Sequence, residues 1–299
     1  MEVFIDGKHK ERYLDPSIPA AYSAKGGDVL TFVTYDCFSN LITENGQKSS
    51  LLDLNLVNPA TGPVCIDGAE PGDILKVEVL EIKLADTGLM AVDPSLGALK
   101  KVLKEERSDI FPIINGKIRF NNKIELDVKP MIGVIGTAPK SEAIDTDTPE
   151  SHGGNLDCTR IAPGSVVYLP VNVPGANLSI GDVHALMGDG EVVLCGMECA
   201  STVKVRVEVL KGKQVPMPAV LDDEVFCTMV SAETLDSATE QVVYALHNFL
   251  MNQIGMADYE AAYLLSLVGN LRINQIVDPL VTVRMELPRK YVEDYLLSV

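Results

Sequence analysis

The sequence predicts a mainly β protein: a sandwich or barrel-like body followed by a small C-terminal α+β unit. Three observations carry this reading. "LKVEVLEI" (75–82), "VKVRVEV" (203–209) and "VTVRMEL" (281–287) alternate apolar and charged residues with a period of two, as half-buried strands do. Pro and Gly recur at short intervals over 58–72 and 162–181, which breaks the first two thirds of the chain into short strands. A helical period with an apolar stripe appears only late.

Taken in order, "INGKIRFNNKIELDV" (114–128) holds Asn115-Gly116, a strong two-residue hairpin signal, and a second polar turn at Asn121-Asn122. A weaker amphipathic helix is expected over 96–105. "SATEQVVYALHNFLMNQ" (237–253) opens with Ser237 and Glu240 at capping-box spacing, and Val242, Leu246 and Phe249 form its stripe. A second helix is expected to start after Asp258 and stop at Gly269. These signals divide the chain into a β body over 1–215 and an α+β unit over 216–299.

The charge balance narrows the function. The 299 residues carry 25 basic and 42 acidic side chains, a net charge of −17, so the field repels phosphate backbones and anionic substrates. A neutral small molecule is the expected guest, with no nucleic-acid partner. "MEVFIDGKHKERYL" has no apolar segment of the secretory kind, and "IAPGSVVYLPVNVPGANLSIG" is broken by Pro163, Pro170 and Pro174, so no membrane span is expected. The six cysteines are scattered without a CxxC pair, the pattern of reduced, buried thiols in a cytoplasmic protein.

Two of the four histidines sit in glycine-rich, acidic stretches: "SHGGNLD" (151–157) and "GDVHALMGDGE" (181–191). The first is a loop leading to a strand, where Gly153 and Gly154 let the backbone approach a ligand beside His152, Asn155 and Asp157. It reads equally as a turn rich in Asx hydrogen bonds. In the second, Asp189-Gly190 is a hairpin signal. A tight hairpin there puts His184 opposite Cys195 and gathers Asp182, His184 and Glu191 on one face. Glu198 then falls on the other face unless Gly196 marks a bulge. Asp36 interrupts the apolar-rich "TYDCFSN" (34–40), where a carboxylate is costly unless paired or bound to a cation. His9 and His247 read as structural. Histidine with carboxylates suits Zn²⁺ or a similar divalent ion with an open position. The chain has no GxSxG elbow, no GxxxxGK[ST] loop and no GxGxxG after a strand.

Together, "YDCFSNLI", "NPATGPVCIDGAEPGD", "GVIGTAP", "SHGGNLD", "GDVHALMGDGEV", "GMEC" and "AYLLSLVGNLRINQIVDPLVTVRMELP" resemble the acetamidase/formamidase family, in order, from about residue 30 to 288. The resemblance implies a mainly β protein, commonly dimeric, that hydrolyses short aliphatic amides to carboxylate and ammonia around a divalent ion. It implies that Asp36, His152, Asn155, Asp157, His184, Asp189, Glu191 and Glu198 stand at family-motif positions.

Our division of these residues makes Asp36, His152, His184 and Glu198 the metal ligands, with zinc as the ion and calcium as a possible second. Glu191 and then Asp189 are the acid/base groups, and Asn155 and Asp157 bind substrate. A homodimer is expected. The alternative is a non-catalytic metal- or ligand-binding β protein of the same fold.

Overall fold

A computed structural model describes residues 1–297. It is mainly β. One sheet of nine strands runs, in spatial order, Glu2–Ile5, Val29–Thr34, Ser201–Leu210, Ile74–Leu84, Val166–Pro170, Ala219–Leu221, Val225–Ala232, Val281–Pro288 and Asn270–Gln275. A second sheet orders Gly153–Asn155, Met131–Gly136, Leu178–His184, Ala60–Asp67 and Lys10–Glu11, with Tyr22–Lys25 paired parallel to Ala60–Asp67. The sheets stay open and do not close into a barrel.

The three alternating segments are strands of the first sheet. In Ser201–Leu210, Val203, Val205 and Val207 are fully buried while Arg206 and Glu208 face out. These valines pack with Phe32, Val77 and Val167 of the same sheet and with Val64, Ile132, Ile180 and Val183 of the second. The body is therefore a sandwich, held by the apolar inner faces of two sheets.

The late strands extend the same large sheet, since Val166–Pro170 pairs with Ala219–Leu221. "VFCTMVSA" (225–232) lacks alternation because both of its faces are covered. Cys227 and Met229 join the sandwich core, and Phe226 joins a second core with Val242, Leu246 and Phe249 of helix α1 (Leu235–Phe249). α1 starts ahead of the expected Ser237: Thr234 is its N-cap, and its side chain accepts from the Ser237 amide at 3.2 Å. Helix α2 (Asp258–Val268) ends before Gly269, as its sequence signals indicate.

Of two local expectations, one is met and one is corrected. The Asn115-Gly116 hairpin forms between Arg107–Ile114 and Lys117–Arg119, with both turn residues at positive φ, but 96–105 is a set of turns and no helix. Gly97 has φ 67° and the Ala98 amide donates to Val192 O at 2.9 Å, so this segment's backbone pairs across to another loop. The Val102 and Leu103 amides both close on Leu99 O, so the amphipathic pattern makes a single turn here and goes no further.

Candidate active site

The strand Leu178–His184 is buried along its whole length, so the polar residues at its end enter an apolar interior. His184 bridges Glu198 as a strand partner, with the Ala185 amide on Met197 O at 2.7 Å and the Cys199 amide on Val183 O at 2.9 Å. The tight hairpin expected at Asp189-Gly190 is thus replaced by a longer loop in a different register, and Glu198 lies opposite His184 without any bulge. The turn residues have other partners: Asp189 forms a two-pronged pair with Arg284 (2.7 and 2.9 Å), and the Gly190 amide donates to Asn274 O at 2.9 Å.

Four carboxylates surround the His184 ring. Nε2 lies 2.9 Å from Glu198 Oε1, 3.3 Å from Asp182 Oδ2 and 3.9 Å from Glu191 Oε1, and Nδ1 lies 4.0 Å from Asp157 Oδ1. These are close approaches without hydrogen-bond alignment: both ring nitrogens, both Asp157 oxygens, Asp182 Oδ1 and Glu191 Oε2 are buried with no hydrogen-bond partner. Donor atoms fall into two compact groups, Asp157–His184–Glu191 and Cys37–Asp182–Glu198, each with its atoms within 4.8 Å of one another.

Two glycines make this crowding possible. A Cβ on Gly196 would lie 2.6 Å from His184 Nδ1, and one on Gly133 would lie 2.6 Å from Asp157 Oδ1 and closer still to Asp182 Oδ2. Asp157, Asp182 and Glu191 all have positive φ (42°, 49° and 41°), a conformation that costs non-glycine residues about 1–3 kcal/mol each and gathers at functional sites.

The electrostatics report too little positive charge. Burial and the Asp182 carboxylate push Asp157 up to about 7, and the same pair of causes pushes Glu198 up to about 8. Glu191 is driven well above the carboxylate range by burial and Asp157. Burial also raises Asp182, but the His184 charge outweighs it and the net shift is downward. Burial lowers His184, and Glu198 and Asp182 more than reverse that. One imidazolium leaves most of the charge of four buried carboxylates uncompensated, and a divalent ion would offset twice as much.

The cluster opens into a cavity of about 260 Å³, lined by Asp182, Glu191 and Glu198 together with Asn155, Phe38, Leu54, Leu194 and Val277. No lysine, arginine or histidine lines it among the described residues.

Of the sequence-derived candidates, His184, Glu191, Glu198 and Asp157 come together, and Asn155 faces the cavity. Neither donor group includes Asp36 or His152. Asp36 is buried, and its Oδ1 accepts from the Phe38 and Asn40 amides at 2.9 and 2.7 Å. His152 is buried with both ring nitrogens unpartnered, and burial lowers it to about 4. Asp189 is committed to Arg284 and to Thr159 Oγ1 (2.8 Å). Three members escape a sequence reading of the site: Cys37, Gly133 and Asp278. Only the position of Cys37 beside Asp36 pointed toward the first. Asp278 lines the cavity from a loop more than a hundred residues away from Asn155, its partner.

The chain belongs to the acetamidase/formamidase family, whose model matches residues 6–148 and 140–293. Its fold is similar to that of an acetamidase from Bacillus halodurans, at 43% identity and a TM-score of 0.96, over 98% of this chain and 99% of that one. An acetamidase from Yersinia enterocolitica is 30% identical with a TM-score of 0.92, over 97% and 92% of the two chains. A formamidase from Methylophilus methylotrophus is 26% identical over 265 residues, 69% of this chain. The match spans 65% of that formamidase's own length, less than two thirds.

Proposed function

We propose that this protein hydrolyses short, neutral aliphatic amides of the formamide and acetamide type to carboxylate and ammonia, with a divalent metal ion. The observation that carries the reading is the set of buried, unpartnered donor atoms around His184, with Asp182 and Glu191 among them lining a cavity that has no cationic side chain among the described residues. Family membership supports the reaction class.

In this reading Cys37, Asp182 and Glu198, with His184 beside Glu198, hold the ion. The orphaned donors and the excess of carboxylates fit such a group, and a thiol and an imidazole among them favour zinc. Calcium takes oxygen ligands alone, so a second, calcium ion would have to draw on the carboxylates. A divalent ion in this place would polarise the amide carbonyl and lower the pKa of water toward neutrality. Glu191, whose hold on a proton is strengthened by burial and by Asp157, is the group placed to deliver a proton to the departing nitrogen. Asn155 orients the amide. Asp157, in the same donor group as Glu191, favours the protonated form of Glu191 through its negative charge.

Six free cysteines accord with a reducing, cytoplasmic setting. A homodimer is supported by the apolar side chains exposed on α2 and the edge strand beyond it, Tyr263, Leu267 and Leu271.

The test is ammonia release from formamide, acetamide and propionamide before and after chelation. Activity that disappears with chelator and returns with zinc is the expected result. A chain that binds zinc but releases no ammonia from any amide would be the non-catalytic relative instead.

A further inference from the structure

We propose that Asp278 is a positioning residue that makes this site selective for primary carboxamides over esters, by holding Asn155 with its carbonyl oxygen facing the substrate. The inference rests on the amide-hydrolysis reading above and names what that reading leaves open, the group that recognises the substrate's N–H.

Asn155 closes the short strand Gly153–Asn155, is 6% exposed and lines the cavity. Its Nδ2 donates to Asp278 Oδ2 at 3.0 Å, while its Oδ1 is buried with no partner. A side-chain amide has a donor end and an acceptor end, and Asp278 Oδ2 takes the donor end, an oxygen that accepts there whether or not the other oxygen carries a proton. Asp278 therefore claims the NH₂ end and turns Oδ1 toward the substrate. That oxygen accepts one N–H of a primary carboxamide. An ester brings no N–H, so it leaves a buried acceptor unpaired.

Asp278 is itself held in place. The Gln275 side chain is fully buried; its Oε1 accepts from the Val277 and Asp278 amides at 2.9 and 3.1 Å. Its Nε2 donates to Leu280 O at 2.7 Å and to Thr282 Oγ1 at 3.1 Å. One glutamine thus clamps both sides of the loop over 276–280, and the Asp278 carboxylate arrives at Asn155 on a rigid support. The acidic neighbours of Asp278 are Asp157 and Glu191, then Asp147 and Asp182. An asparagine at 278 would turn its NH₂ to those carboxylates and its oxygen to Asn155, preserving the orientation.

The experiment measures kcat and KM for propionamide and methyl propionate, a pair differing in NH₂ against OCH₃, with zinc content determined for each protein. Asp278→Ala frees Asn155 to present either end, so the amide-to-ester ratio of kcat/KM should fall about tenfold, mainly through the amide KM. Asp278→Asn should keep the wild-type ratio. Asp278→Ser, whose shorter side chain draws its oxygen back from Asn155 while keeping a polar group in the loop, serves where the alanine variant loses its fold or its ion. An unchanged ratio in a folded, zinc-loaded alanine or serine variant overturns the proposal. So does an asparagine variant as damaged as the alanine one, since charge and not position would then matter. Wild-type protein that hydrolyses esters but no amide would overturn the parent reading, a result distinct from either.

Discussion

Gly196 illustrates how finely the site depends on single atoms. Its missing side chain is the space in which the His184 ring lies, 2.6 Å from where a Cβ would be. Gly196→Ala must push the ring away from Asp182 and Glu198, and overpacking of this kind costs about 1–3 kcal/mol. We expect bound zinc and ammonia release to fall together in this variant, while circular dichroism retains the β signature. Glu191→Gln separates the two properties. An amide in place of the carboxyl can neither donate nor accept the catalytic proton, so the rate should drop about 10²–10⁴-fold. Zinc content, measured on the same preparation, should stay near wild type, because Cys37, Asp182, Glu198 and His184 are untouched. A Glu191→Gln protein that loses its zinc would move Glu191 from proton donor to ligand.

At the level of elements, the loop that carries Glu191 is pinned from beneath. Arg284 in the strand Val281–Pro288 is 2% exposed and donates to Asp189, to Asn274 Oδ1 at 2.8 Å and to Glu286 Oε1 at 2.8 Å. Asn274 in turn holds Leu156 O at 2.9 Å, tying the Asp157 segment to the same support. Arg284→Met would strip Asp189 of its two-pronged partner and leave the buried Glu286 with Arg160, at 3.2 Å, as its close cation, at a cost of about 1–3 kcal/mol. Chemical denaturation should register that loss, and activity should fall with it because Glu191 and Asp157 lose their common anchor. This network also explains where sequence reading ran out. Strands with one buried face declare themselves by alternation, and Asn115-Gly116 makes its turn because both residues take positive φ locally. Asp182 and His184 could be paired in advance, being two apart on one strand. Asp189-Gly190 has the same local signal as a hairpin, but Arg284 and Asn274 claim its side chain and backbone from 84 or more positions away. Cys37, Gly133 and Asp278 matter only through such distant contacts, which no spacing along the chain encodes.

Over the whole molecule, the cluster ties stability to both pH and metal. Asp157 and Glu198 are raised to about 7 and about 8, above the ordinary carboxylate values near 4. A raised carboxyl stabilises the fold below its unfolded pKa, and that contribution is lost as pH climbs through the folded one. Metal-free protein should therefore lose Tm between about pH 4 and pH 8, and bound zinc, by replacing those protons, should flatten the decline. Scanning calorimetry with and without chelator across that range checks the sign. The central claim, that the carboxylates around His184 hold the ion on which amide hydrolysis depends, is tested most directly by elemental analysis of tag-free protein. Wild type and His184→Ala are compared, each alongside its rate of ammonia release from acetamide. The account predicts zinc bound to the wild-type chain, and its loss together with the activity in His184→Ala. Wild-type protein that hydrolyses acetamide with no bound metal, or a His184→Ala protein that keeps both zinc and rate, would contradict it.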